Sequence, residues 1–429
     1  MIKFSPITQK LIELSELKGI NFLERTAEDV SEIINKQIDF LETTKFNKEF
    51  EDPRKLIHLD TNKLALHPER LKAFLDGEHV APITIDMALT QKCSYACTFC
   101  YAGLQQNPSA PSDWPVYKKF LDDCKKIGHK ENEGVKAISL VSDGESTESP
   151  YYLDFIKYAS DLGIDIASGT NGMKLEKFDL EILVKSLTYL RINFNAAHPE
   201  AYQQVMGCSE KAFHKVVNIT KDLLRLKSET KSNVTIGYQM VLMPEYADQV
   251  LPLASMSRDL GLDYLVIKHC SDDENGSLGV DYSWYTTQEA DNLLKIAEQF
   301  STSNYSSQAK WSKIKTGRDR IYKKCYGTPL LLQMSGTGIV APCGSFFHKI
   351  YGDKHIGDIK EESFYDIWKS KKYQEVMNFL RSDRFDAKSM CASLCLQDKI
   401  NEELYKIIEL NQPLPEVKNK DNMPHVNFI

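Results

Sequence analysis

Three cysteines, Cys93, Cys97 and Cys100, lie in the run Cys-Ser-Tyr-Ala-Cys-Thr-Phe-Cys. The C-x₃-C-x₂-C spacing brings three thiolates to one side of a short loop. A structural zinc or an ordinary ferredoxin-type cluster takes four protein ligands. Three thiolates leave one iron of a [4Fe–4S] cube open to a substrate or cofactor. A zinc knuckle with a distant fourth ligand is the other chemistry this set allows. Far downstream stand Cys325, Cys343, Cys391 and Cys395, enough thiolates to complete a second cluster or a Cys₄ zinc site. The remaining cysteines are Cys124, on a predicted helix and read as structural, Cys208 in a loop, and Cys270 at the end of an apolar run.

The first cysteine run, with Phe99 before its last thiol, resembles the signature of the radical S-adenosylmethionine (SAM) superfamily, and the resemblance extends over most of residues 80–400. It implies that the open iron chelates the amino and carboxylate groups of SAM. It also implies reductive cleavage of SAM to a 5′-deoxyadenosyl radical that abstracts a substrate hydrogen. The cofactors carry that chemistry, and the protein supplies binding and orientation. On the same resemblance, Asp143-Gly144-Glu145 stands where the family has Gly-Gly-Glu, with Asp143 replacing the first glycine. A carboxylate and carbonyls there suit an ammonium, since charge-assisted bonds are the strong ones. Thr170-Asn171-Gly172 resembles the family's Thr-Asn-Gly. Arg191 and Asn193 match its Arg-x-Ser-x-Asp, with Asn193 able to donate and accept toward a ribose diol. Arg191 suits a carboxylate or an internal salt bridge.

The distal cysteines, with Gly338-Ile-Val-Ala-Pro-Cys343 and Phe364-Tyr-Asp-Ile-Trp368, resemble the C-terminal module of the SPASM and "twitch" subfamilies. Four cysteines fit the shorter form, with one auxiliary [4Fe–4S] cluster in electron transfer. Lys268 can hold a carboxylate, phosphate or hydroxyl, or stand solvated. Cys270 can return a hydrogen atom to a substrate radical, as in radical epimerases, or pack as a small hydrophobe.

Elements must carry these residues. Short β-like runs at 82–89, 136–142, 164–168, 188–194, 234–243 and 263–269 alternate with helical segments near 115–128, 151–162, 176–186, 210–227 and 246–260. Right-handed β-α-β units predict a parallel sheet, and six units fall short of the eight of a closed barrel. The expected fold is α/β, a partial (β/α)₆ TIM-like barrel with ligands at the carboxyl ends of its strands. Tyr238 and Gln239 interrupt the fifth strand, and the pattern leaves open which of them points inward. The expected division is a helical N-terminal extension over 1–80, a core over 81–285, a linker helix and flexible polar loop over 286–320, the auxiliary cluster domain over 321–400, and a C-terminal tail over 401–429, loosely ordered over 411–429. Thr26 to Asp29 predicts a capping box, followed by Val30, Ile33, Ile34, Ile38 and Leu41 on one helix face.

The chain has 429 residues, 42% of them hydrophobic and 26% charged, with a net charge of −7. That balance argues against a broad nucleic-acid surface, and no apolar run approaches the length of a membrane span. Without a secretory pattern at the start, a cytoplasmic location is expected, which suits oxygen-sensitive clusters. The expected function is oxidation or epimerisation of a sugar-like small molecule, with a flavodoxin- or ferredoxin-type reductant. Modification of a ribosomally made peptide is the alternative, and an iron–sulfur or zinc scaffold is the rival outside enzymes.

Overall fold

The computed structural model describes residues 4–16, 22–46, 50, 52, 63–105, 110–130, 133–273, 275–317, 319–391, 393, 395–415 and 425–429. Six parallel strands form its centre: β1 (Thr84–Met87), β2 (Ala137–Leu140), β3 (Asp165–Thr170), β4 (Tyr189–Asn193), β5 (Thr235–Leu242) and β6 (Tyr264–His269). They are hydrogen-bonded in sequence order. Strand side chains alternate between faces. One face sends Ile85, Ile138, Ile192 and Ile267 into the apolar layer beneath the helices. The opposite face sends Asp86, Ser139, Arg191, Gln239 and Lys268 into the barrel lumen. Outer helices bury matching stripes, such as Val216, Val217 and Leu223 in the helix Lys211–Thr230.

The sheet is wider than six strands. The stretch expected as linker holds the helix Gln288–Glu298 and then β7 (Ser306–Ala309), which pairs parallel to β6. The expectation of a flexible loop at 301–320 is corrected here. Ser306, Ser307 and Gln308 are buried polar residues without apolar alternation, so the pattern carried no strand signal. On the other edge, β8 (Leu331–Met334) runs parallel to β1 and starts a hairpin with β9 (Ile339–Ala341) and β10 (Gly357–Asp358). The sheet therefore does not close on itself: it ends at β7 on one side and at β10 on the other.

The N-terminal extension packs outside the core. Thr26 and Asp29 form the expected capping box, and the helix Ala27–Thr43 buries Val30, Ile33, Ile34 and Leu41. A buried Arg25–Asp248 ion pair at 2.8 Å ties it to the chain after β5. The domain boundary expected at 400 falls inside the helix Asp398–Ile408, which packs on the cysteine-bearing module. Part of the tail, 416–424, lies outside the described residues. Its last five residues are ordered, against expectation, and seat at the N-terminal mouth of the barrel. The Phe428 ring packs with Ala137, Ala167 and Tyr189, at the starts of β2, β3 and β4. Thr84 donates to the Asn427 carbonyl at 2.6 Å, and Asn427 donates to Asp165 at 2.7 Å.

Candidate active site

The loop of Cys93, Cys97 and Cys100 follows β1 at the carboxyl end of the strands, with two thiols exposed and Cys97 half-buried. Burial first, and then the neighbouring Cys100 and Cys93, push the Cys97 thiol well up, so the three sulfurs share one small region. Two glycines clamp the loop's start. A Cβ on Gly144, after β2, would overlap the Thr90 carbonyl, and one on Gly336, after β8, would overlap the same peptide from the other side. Glu145 N–H donates to the Lys92 carbonyl at 3.0 Å. The loop's height above the lumen is thereby set by β2 and β8 together.

Asp143 does not face an open site. Its carboxylate accepts from Gln91 Nε2 at 2.6 Å, Ser335 Oγ at 2.6 Å and the Gly336 N–H at 2.8 Å. It staples the auxiliary hairpin to the cysteine loop, which explains an aspartate where a glycine was expected. The buried Glu145 accepts from Thr147 Oγ1 and Thr170 Oγ1 at 2.7 Å through Oε1, and from Asn171 N–H at 2.7 Å through Oε2. Oε2 thus keeps a lone pair for an ammonium. Thr170 is committed to that carboxylate. Asn171 Nδ2 donates to the Cys93 sulfur at 3.8 Å and to Ser94 Oγ at 3.4 Å. Asn193 Oδ1 accepts from Gln239 Nε2 at 2.9 Å. The Phe99 ring is buried in the apolar core.

Below these loops lies a cavity of about 290 Å³. Arg191 lines it, one inward position deeper than Asn193, with a buried Nε that has no hydrogen-bond partner. Lys268 lines it too, and burial first, then Arg191 and Lys310, lower its ammonium to about 7. Cys270 does not reach the lumen. Fully buried, it turns its sulfur toward the Phe99 carbonyl at 3.8 Å and the Ser271 carbonyl at 3.6 Å. Burial raises its thiol to about 12. Gln239 faces the cavity, whereas Tyr238 stacks on Phe194 at 4.5 Å outside it. Sequence reasoning passed over Asp86, Tyr101, Tyr189 and Lys310 as lining residues. The period-two alternation that includes Asp86 and Tyr189 could have marked those two. Lys310 had no signal because its strand had none.

The distal thiols also converge. Cys325, Cys343, Cys391 and Cys395 line one small pocket with Tyr322 and Asn401. Asn401 Nδ2 donates to the Cys325 sulfur at 3.3 Å, and Tyr322 lies 3.9 Å from that of Cys395. Among the described residues, no three His, Cys, Asp or Glu side chains converge on a point fit for one metal ion. The four thiols line one common space, and four thiolates complete the ligation of a [4Fe–4S] cube. Both cysteine sets therefore suit iron–sulfur clusters, the first three-coordinate and the second four-coordinate.

Comparison with known proteins agrees. Residues 87–254 match the Radical SAM superfamily and residues 325–396 match an iron–sulfur cluster-binding domain, SPASM. The chain is a radical SAM enzyme with a C-terminal SPASM domain, and its cofactors are SAM, a SAM-binding [4Fe–4S] cluster and an auxiliary cluster. It is 22% identical over 304 residues to a tungsten-containing aldehyde ferredoxin oxidoreductase cofactor-modifying protein of Pyrococcus furiosus, covering 67% of this chain and 81% of that one. It is 22% identical over 339 residues to an AdoMet-dependent heme synthase of Methanosarcina barkeri, covering 75% and 90%. In fold it is similar to SuiB of Streptococcus suis bound to SAM, with a TM-score of 0.56, 15% identity, and 92% of this chain and 89% of that one covered. No helix among the described residues is long and apolar enough to cross a membrane.

Proposed function

We propose that this enzyme oxidises a small, sugar-like molecule held in the barrel lumen, with Cys93, Cys97 and Cys100 holding the SAM cluster and Cys325, Cys343, Cys391 and Cys395 the auxiliary one. When bound, the first cluster and SAM supply a 5′-deoxyadenosyl radical. Asn171 and the free lone pair of Glu145 orient the SAM amino group, and Asn193 with Gln239 meets the ribose. Phe99 and Thr170 serve this pocket from behind, by packing and by fixing Glu145. Asp143 and Gly144 set the height of the cluster loop. A flavodoxin- or ferredoxin-type protein is the reductant, and the cytoplasm the compartment, that this chemistry needs.

The observation that carries the reading is the lumen cavity of about 290 Å³, into which Asp86, Ser139, Arg191, Gln239 and Lys268 project. That volume lies at the low end of small-molecule sites. Oxidation is favoured over epimerisation because the thiol expected to return a hydrogen, Cys270, bonds to backbone behind the cavity. The auxiliary cluster then takes the electron released by the substrate radical. Modification of a peptide is the second reading, supported by the likeness in fold to SuiB bound to its precursor peptide. The test is anaerobic reconstitution followed by reduction with dithionite in the presence of SAM. The proposal expects about eight irons for two cubes and formation of 5′-deoxyadenosine. A colourless, zinc-filled protein without that product would refute it.

A further inference from the structure

Two buried hydrogen-bond donors meet the auxiliary thiols at Cys325. Asn401, on the helix Asp398–Ile408, sends Nδ2 to the Cys325 sulfur at 3.3 Å. Its amide cannot be turned the other way. Oδ1 accepts from the Tyr326 N–H at 2.7 Å and the Gly327 N–H at 2.8 Å, two backbone donors that only the oxygen end can satisfy. The turn after Cys325 therefore fixes which end of Asn401 meets the sulfur. Thr328, fully buried, places its hydroxyl 3.5 Å from the same sulfur. A ligating thiolate has no proton to give, so the hydroxyl is the donor there. Tyr322 makes the contrast at Cys395. It lies 3.9 Å from that sulfur, but its one proton goes to the Asp398 carboxylate at 2.7 Å.

A donor pointed at a cluster sulfur stabilises the extra negative charge of the reduced form and so raises the reduction potential. Burial strengthens the effect, because a low local dielectric screens it less. We infer that Asn401 and Thr328 set the potential of the auxiliary cluster, holding it high enough to receive the electron of a substrate radical. That radical loses one electron to the cluster and one proton to solvent as its carbonyl forms. Asn401 and Thr328 are positioning residues: each acts through the Cys325 sulfur and neither touches substrate. The inference rests on the reading of Cys325, Cys343, Cys391 and Cys395 as the ligands of that cluster, and it adds the two side chains that tune it.

Redox titration of the reconstituted holoenzyme with dithionite, followed by electron paramagnetic resonance, tests this at about pH 8, where an aspartate side chain is ionised. The SAM cluster's signal is the one that added SAM changes, so the auxiliary midpoint is read beside an internal reference. Thr328→Val removes only the hydroxyl. Asn401→Asp keeps the oxygen that the Tyr326 and Gly327 N–H groups need and replaces the donor with a second oxygen. It should raise the oxidised-to-reduced ratio at the wild-type auxiliary midpoint at least tenfold, a fall of about 59 mV. Thr328→Val should shift the midpoint in the same direction, and Thr328→Ser should leave it at the wild-type value. The SAM-cluster midpoint should stay put in all three. Should Asn401→Asp fail to load its auxiliary cluster, Thr328→Val decides alone. Unmoved auxiliary midpoints, or equal shifts in both clusters, overturn the inference. A wild type that holds only about four irons overturns the ligand reading itself. About eight irons with unmoved midpoints overturn only the tuning role.

Discussion

Lys268 lines the cavity at the expense of stability. Its ammonium titrates near 7 in the folded chain against an ordinary 10.5, because burial and the neighbouring Arg191 and Lys310 disfavour the charge. The unfolded chain therefore binds more protons between those values, and stability rises with pH across that window. Below about pH 7 the penalty is fully present. Lys268→Met should accordingly stabilise the holoenzyme by on the order of 1–3 kcal/mol at pH 6.5, with the gain fading as pH climbs toward 10.5. Thermal unfolding at several pH values checks this, and a methionine variant less stable than wild type at pH 6.5 contradicts it. Cys270 makes the opposite case. Its sulfur packs against the Phe99 and Ser271 carbonyls, so Cys270→Ala should keep 5′-deoxyadenosine formation within about threefold of wild type. Loss of product with 5′-deoxyadenosine still formed and both clusters intact would return the thiol to the chemistry.

Among the elements, the loops after β1, β2 and β8 act as one layer. Gly336 presses on the Thr90 peptide, and Asp143 binds Ser335 and Gln91. A methyl group on Gly336 must displace the start of the cysteine loop. Gly336→Ala should therefore lower the iron content of the SAM cluster while the auxiliary cluster fills normally, a difference that electron paramagnetic resonance of the reduced protein resolves. Equal filling of both sites would mean that the loop yields at little cost. At the opposite mouth, residues 425–429 close the lumen with Phe428 and with bonds to Thr84 and Asp165. Their deletion should cost about 2–4 kcal/mol, from one buried aromatic ring and a few hydrogen bonds. An unchanged unfolding midpoint would show that the floor holds without them.

At the scale of the molecule, the auxiliary domain does not hang from the barrel. It continues the barrel's own sheet, because β8 pairs with β1, the strand that leads into the cysteine loop. Replacing one auxiliary ligand should therefore separate the two functions. Cys325→Ala should bring the iron content from about eight to about four and keep SAM cleavage. It should abolish net substrate oxidation if the second cluster takes the substrate's electron. Iron analysis with 5′-deoxyadenosine quantification reads both effects, and loss of SAM cleavage with four irons retained would show the clusters to be interdependent.

The local chemistry was legible in the chain itself. The cysteine spacings, the six strand–helix alternations and the Thr26–Asp29 cap depend on short-range sequence, and short-range rules specify them. Three features were not legible, each because it rests on partners tens to hundreds of positions apart. The serine-rich β7 is a strand only because β6 offers it an edge. The C-terminal pentapeptide is ordered only because the barrel's N-terminal mouth receives Phe428. Asp143 looked like a degraded glycine motif until Ser335 and Gly336, some 190 residues later, arrived to donate hydrogen bonds to its carboxylate. Sequence determined which groups could perform radical chemistry. Tertiary packing decided which of them face the lumen, since strand alternation and the meeting of distant loops place Lys268 and Lys310 inside and Cys270 behind the wall.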